Sequence, residues 1–423
     1  MNSITEKLKL IFGDKTLRMR IVFTLVGLAI FRGMAAIPVP GVNKTALATF
    51  FQNNQFFGML NVFSGGGLSN LSLVMLGVGP YITASIIMQL LTMMSEKLKA
   101  IYQEEGEIGR RKFSQWTRLI SIPLSALQAF GFMILLSKQG VLSSLSSTDF
   151  VINIIVITAG SALLMWIGEL ITEFGIGNGT SLIIFAGIIA AAPTSIGRLL
   201  FSYDASQLPL YIGLLVAAGA VIYAVVFITE AERPIPVTYA KRVRGNKMFG
   251  GISTYLPLRL NQAGVIPIIF ALSLLLFPQM ILNFIKGAST GVIADVANTL
   301  LSWLANNLIY GIMYFLFVFV FTYFYTAVTF DPKMISENLQ KSGAFIPGIR
   351  PGQATAEYLG KVTTRITLVG ALFLGVIAVL PLFIKAVTGI TSIAIGGTAL
   401  LIVVSVVIDL IKRIDAQVSM REY

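Results

Sequence analysis

The chain contains no cysteine and no histidine. Their absence removes disulfides, thiolate nucleophiles, imidazole general bases and the usual zinc ligands together. It says little about compartment. Charge is scarce too: Asp, Glu, Lys and Arg make up 12% of the 423 residues, apolar residues make up 56%, and mean hydropathy is +0.83. That balance excludes a soluble globule. No G-x-x-x-x-G-K-[ST] occurs, so the chain cannot hold ATP as a P-loop enzyme does. Gly175, Gly177 and Gly179 in FGIGNGTS superficially suggest a phosphate cradle. They follow no strand of a βαβ unit, so a turn opening a membrane helix is the better reading.

What is present is long apolar sequence. Ten stretches approach or exceed the roughly 20 residues that cross a bilayer. They lie near Ile21–Ile37, Leu71–Met94, Leu119–Ser137, Phe150–Gly168, Ser181–Gly197, Leu210–Thr229, Ala263–Ile285, Leu308–Phe330, Ile366–Ile384 and Gly389–Ile408. The first contains Arg32 and the other nine carry no charge. A polytopic helical membrane protein is predicted. The basic amino end ahead of the first run resembles a signal peptide, but the run is long for one and nine further spans follow, so retention is expected.

The net charge of +12 becomes informative when mapped. With the amino end cytosolic, inside segments hold 25 of the 31 Lys and Arg residues, and the outside loops hold five: Lys44, Lys138, Arg198, Lys286 and Lys385. This follows the positive-inside rule and predicts both termini inside. Five spans precede the loop near Phe201–Gln207 and five follow, so the expected organisation is an N-terminal half, residues 1–200, and a C-terminal half, residues 201–423. An odd number per half makes any internal symmetry an inverted repeat. Inside loops at 95–118 and 230–259 are basic, and that at 331–365 is long and mixed.

Two segments resist the simple pattern. Phe56–Asn70, FFGMLNVFSGGGLSN, is apolar but too short to span. By itself it reads as an interfacial helix or a half-helix folded into a cavity, with the interfacial reading preferred. Lys341–Gly352, KSGAFIPGIRPG, holds three glycines, two prolines and one arginine on the inside face. It cannot form a regular helix. It reads as a segment outside the core that meets a partner.

Chemistry inside the membrane is thin. A secondary transporter or proton pump normally needs ionisable groups at mid-membrane. Arg32 lies near the outer end of its span, Glu169 and Glu173 lie near the inner end of theirs, and Asp409 sits where the last span leaves; snorkelling or capping explains them. The spans carry instead uncharged polar residues (Ser85, Gln89, Gln128, Ser161, Asn261, Gln262, Ser273) of the kind that usually join helices.

Several motifs, in order and spacing, resemble one family. They are IPVPGV (Ile37–Val42), NVFSGGGLSNLSLVMLGVGPYITASIIMQLL (Asn61–Leu91), EEGEIGRRKFSQWTR (Glu104–Arg118), GELITEFGIGNGTSLIIFAGI (Gly168–Ile188), TYAKRVRG (Thr238–Gly245), LNQAGVIPIIFA (Leu260–Ala271) and the Lys341–Gly352 loop. Together they resemble the SecY family of bacterial protein-conducting channels over essentially the whole chain. The resemblance implies ten helices in two inverted five-helix halves around a central pore, opening toward lipid. It implies a short plug helix at Phe63, Ser64, Gly65, Gly66, Gly67, Leu68, Ser69, Asn70 and Leu71, which reverses the interfacial preference. It implies a constricting ring at Val78, Ile82, Thr180, Ile184, Ile269 and Ile402. Val78 and Thr180 depart from the family's isoleucine, implying a wider or wetter seal, or a larger share for the plug.

The resemblance further implies a lateral gate between the second and third spans and the seventh and eighth, where Ser85, Gln89, Gln128 and Ser273 would form a polar seam. It implies docking of a SecA motor or a ribosome at Lys241, Arg242, Arg244, Lys247 and Arg350, although Pro234 stands where relatives often have a second basic residue. Basic inside loops also set topology and attract anionic lipid, which accounts for the first four of these better than for Arg350. SecE-like and SecG-like membrane subunits, signal peptides, nascent chains and membrane lipid are the further expected partners. The expected site is the bacterial cytoplasmic membrane. The expected protein is not an enzyme and takes no cofactor or metal. A secondary transporter with an inverted repeat is the alternative.

Overall fold

A computed structural model of the chain describes residues 13–43, 46–47, 61, 64–68, 70–103, 105–138, 140–142, 146–201, 208–239, 242–244, 247–249, 253–288, 291–388 and 396–419. Ten helices coincide with the ten predicted spans: α1 (Lys15–Ala36), α2 (Gly79–Met94), α4 (Gly106–Lys138), α5 (Ser147–Phe174), α6 (Gly179–Phe201), α7 (Leu208–Glu230), α8 (Ile266–Ala288), α10 (Asn307–Thr329), α12 (Gln353–Thr388) and α13 (Gly396–Ser419). Between them lie the shorter helices α3 (Glu96–Gln103), α9 (Val292–Ala305) and α11 (Pro332–Lys341). The protein is a multi-pass helical membrane protein.

The helices differ from the apolar runs for local reasons. α4 and α12, of 33 and 36 residues, carry their spans onward into polar sequence on the inside face. α2 is shorter than predicted, at 16 residues. Pro80 sits in its first turn, and upstream Gly77 (φ 58°) and Leu71 (φ 43°) adopt left-handed conformations that a helix cannot contain. A helix of that length rises about 24 Å, so residues 71–78 cover the remaining membrane depth as turns. They are buried in protein, the setting in which irregular backbone is tolerated at such depth.

The largest apolar cluster joins Phe31 and Ala35 of α1, Val74 and Val78 ahead of α2, Leu164 and Ile171 of α5, Ile183 and Ile184 of α6, Ile268 and Ile269 of α8, Tyr314 of α10, Leu374 of α12 and Ile402 of α13. Spans from both halves of the chain therefore share one core. α8 packs on α2 and α4, and α13 packs on α6 and α7. Two ion pairs tie inner helix ends together: Arg118 of α4 to Glu169 of α5 at 2.7 Å, and Lys412 of α13 to Glu230 of α7 at 2.8 Å. Asp409 pairs within its own helix with Arg413 at 2.8 Å. Glu169 and Asp409 thus hold exposed or part-exposed cations at the inner rim, as interfacial groups do.

The inside loop after α7 is not irregular. Strands β1 (Glu232–Tyr239) and β4 (Ser253–Arg259) form an antiparallel hairpin, with Ile235 opposite Leu256 and Val237 opposite Thr254. The intervening β2 (Arg242–Arg244) and β3 (Lys247–Phe249) form a second antiparallel pair. The Lys341–Gly352 segment adds β5 (Ala344–Phe345) to the other edge of β1, in the order β4-β1-β5. Because β5 pairs only with Thr238 and Tyr239, Pro234 and Pro236 fall where that edge needs no N–H. This corrects the expectation that the segment stands outside any core. Ala344 and Ile346 are buried with Ile235, Val237, Leu258, Leu359 and Val362 in a separate cluster.

Candidate functional site

α6 supplies the reference line. Asn178 caps it, its Oδ1 accepting from the amides of Thr180 (3.1 Å) and Ser181 (3.2 Å). Gly177 turns the chain at φ 88°, and a Cβ on Gly179 would overlap the Gly168 carbonyl of α5. The FGIGNGTS motif is therefore a turn that starts a membrane helix in close contact with its neighbour. Ser181, Ile184 and Gly187 then succeed one another along α6 at three-residue spacing, on one face.

Each marks a different layer. Ser181 lines a cavity of about 340 Å³ on the inside, together with Asn261, Gln262, Ser405, Asp409 and Arg413. The side-chain oxygens of Asn261, Gln262 and Ser405 are buried and have no hydrogen-bond partner among the described residues. Such acceptors suit water or a passing peptide amide. Ile184 lies in the next layer, which is apolar. Ile184, Val78, Ile269 and Ile402 belong to the large cluster, and Ile82 packs against it. Ser405 and Ile402 on α13 repeat the same step from cavity to apolar cluster.

Thr180, the sixth predicted ring residue, spends its hydroxyl on Asn178 at 2.6 Å. Its methyl faces Gly168 of α5, 3.2 Å from where a Cβ on that glycine would stand. It sits at the mouth of the apolar layer, one turn before Ile184.

Gly187 opens the third layer. A Cβ there would overlap Gly65 Cα, so the two backbones touch. The described residues of the predicted plug, Ser64–Leu68 and Asn70–Leu71, form consecutive turns where a helix was expected. Gly65 and Gly66 at φ 70° and 82° account for this. Ser64 closes the loop, its Oγ accepting from Leu68 N at 3.1 Å. Ser64 and Leu68 are both buried, so the segment folds into the bundle rather than along its surface. Phe63 and Ser69 lie outside the described residues.

The predicted seam residues fall on three packed helices. Gln89 donates to Ser85 at 3.2 Å along α2, while its buried Oε1 has no partner among the described residues. Gln128 on α4 and Ser273 on α8 are half-buried, and α8 lies against both α2 and α4. On the inside face, Arg350 is exposed and its carbonyl accepts from Thr355 Oγ1 at 2.8 Å. Gly348 and Gly352 flank it at φ 81° and 96°. Arg242, Arg244 and Lys247 lie on the β2–β3 pair, described by backbone; Lys241 lies outside the described residues. Sequence reasoning missed Gly187, whose only signal is its spacing from Ile184, and the β5 strand, which is too short to show periodicity.

Comparison with known proteins identifies the family. The family model SecY matches residues 72–411. Protein translocase subunit SecY of Halalkalibacterium halodurans is 45% identical over 424 residues, covering 98% of this chain and 97% of that protein. The protein of the same name from Mycobacterium tuberculosis is 43% identical over 429 residues, covering 96% of each. Among solved structures, a protein-conducting channel aligns with TM-score 0.67 at 20% identity over 97% of this chain and 94% of that one. A SecY whose plug domain stabilises the closed state and maintains a membrane seal aligns at 0.65, 20% identical, with the same coverages. Sec61 of a canine ribosome–channel complex aligns at 0.63, 19% identical, also with those coverages. At these identities the structures carry the fold, and the sequence matches carry the family: the chain belongs to the SecY family of protein translocase subunits.

Proposed function

We propose that the chain is the pore of a bacterial protein translocase, conducting unfolded secretory chains outward and releasing apolar helices sideways into lipid. The carrying observation is the order of layers along α6: a polar cavity at Ser181, an apolar constriction at Ile184, and the folded Ser64–Leu71 segment at Gly187. A polar mouth admits a hydrated peptide. An apolar collar of Val78, Ile82, Ile184, Ile269 and Ile402, with Thr180 at its rim, resists ions by dewetting while giving a sliding chain nothing to bind. The segment from Phe63 to Leu71 acts as the plug behind it.

Lateral release runs between α2 and α4 on one side and α8 and α10 on the other, with Ser85, Gln89, Gln128 and Ser273 in the seam. The β-sheet unit and Arg350 form the docking face for a SecA-type motor or a ribosome; Arg350 offers a planar fork of donors suited to carboxylates or phosphates. SecE-like and SecG-like subunits complete the complex, both termini are cytosolic, and the membrane is the bacterial cytoplasmic one. The chain does no covalent chemistry, and energy comes from the motor, from elongation or from the membrane potential.

Transport of a secretory precursor into proteoliposomes holding the reconstituted complex tests this reading. Uptake that needs the motor and ATP is expected. Uptake of small solutes without any precursor would overturn it in favour of a secondary transporter.

A further inference from the structure

The geometry points to a latch, made by Arg32 of α1 and Gly187 of α6, that holds the plug segment closed by gripping Gly65. Arg32 is the single charge inside any predicted span, and the pore layers themselves have no use for it. Its Nη1 donates to the Gly65 carbonyl at 3.1 Å. The neighbouring carbonyls of the loop are engaged locally: Asn61 O accepts from Gly66 N at 2.8 Å, Ser64 O from Gly67 N at 3.4 Å, and Gly67 O from Ser72 N at 2.9 Å. The Gly65 carbonyl is turned toward α1.

Steric contacts converge on the same residue. Phe31, fully buried beside Arg32, sets its ring against Gly65, where a Cβ would overlap Cζ. Gly187 presses its bare Cα side onto Gly65 from α6. Gly65 also needs a left-handed φ of 70°. Glycine at both positions lets two backbones meet with no side chain between them. A hydrogen bond from a cation is stronger than one between neutral groups, so closing the loop gains a charge-assisted bond to a backbone carbonyl. Asn70 adds a longer contact to α1, its Nδ2 standing 3.5 Å from the Ala35 carbonyl. Arg32 is thus a positioning residue for the seal. Withdrawing the plug must break its bond to Gly65.

The inference rests on the plug reading above, and the test separates the two. The chain has no cysteine, so Ser64→Cys introduces one buried thiol whose modification by a membrane-impermeant maleimide reports release of the loop. Arg32→Gln and Gly187→Ala, in the assembled channel, should each raise this modification rate and the resting ion conductance in planar bilayers by about tenfold, the first by losing a charge-assisted hydrogen bond and the second by setting a methyl group against the Gly65 backbone. Arg32→Lys should keep both within about twofold, since it restores a cationic donor. In a channel lacking residues 63–71, neither substitution should add leak. Unchanged modification in both variants overturns the latch, as does a leak that Arg32→Gln adds equally without the segment. If removing 63–71 leaves conductance unchanged, the plug reading fails, and the thiol arm still decides whether Arg32 and Gly187 hold Gly65. Should Arg32→Gln fail to assemble, Gly187→Ala, which keeps the charge, decides alone.

Discussion

Asn178 satisfies two of the amides that open α6 with a single oxygen, and those amides sit where α6 meets the polar cavity. Asn178→Ala should destabilise the protein by about 1 kcal/mol, whereas Asn178→Asp, which keeps the acceptor, should cost much less. Thermal unfolding of the detergent-solubilised complex measures the difference. Arg350 poses a different case. Its side chain is exposed and the hydrogen bond at this residue uses the backbone carbonyl, so Arg350→Glu should leave folding and assembly intact. It should still lower motor-driven export several-fold, because charge reversal opposes an acidic contact rather than merely removing one. Normal export by this variant in the proteoliposome assay would remove Arg350 from the docking face.

At the level of elements, the ten spans were legible because an apolar run of about twenty residues is a signal that tertiary context does not override. The extent of α2 was not. Its run begins at Leu71, but helix begins at Gly79, because Gly77 and Pro80 impose backbone conformations that hydropathy does not register. The sheet on the inside face was also hidden. β5 is two residues long, and its partner strand lies more than a hundred residues earlier. The composition of KSGAFIPGIRPG suggested only a non-helical surface segment, while Ala344 and Ile346 turn out to anchor it. Ile346→Ala should cost about 2–5 kcal/mol within this small cluster. Limited proteolysis should then cut near residues 341–352 faster while the spans keep their helicity. If cleavage is unaffected, the sheet does not depend on this anchor.

Across the whole molecule, the sequence offers candidate pore residues but not their order relative to the cavity and the buried loop. Motif resemblance marked Val78, Ile82, Ile184, Ile269 and Ile402 as the proposed ring; the folded chain puts Val78, Ile184, Ile269 and Ile402 in one apolar cluster and packs Ile82 against it. Thr180, also proposed for the ring, donates its hydroxyl to Asn178 at the start of α6. The apolar layer makes a direct prediction. Ile402→Asn puts an amide into it, and wetting there should raise resting conductance severalfold without abolishing precursor transport. Planar-bilayer recording beside the proteoliposome assay checks both outcomes.

The two ion pairs between span ends have a consequence for motion. Arg118 with Glu169 ties two helices of residues 1–200, and Lys412 with Glu230 ties two of residues 201–423. The contact from α8 to α2 and α4, which the proposed lateral opening must part, carries no ion pair among the described residues, and its proposed seam residues, Ser85, Gln89, Gln128 and Ser273, are uncharged. Each half is riveted by charge, but the line between them is held by neutral groups. Both rivets stay closed when that line parts, so the opening itself should respond weakly to ionic strength.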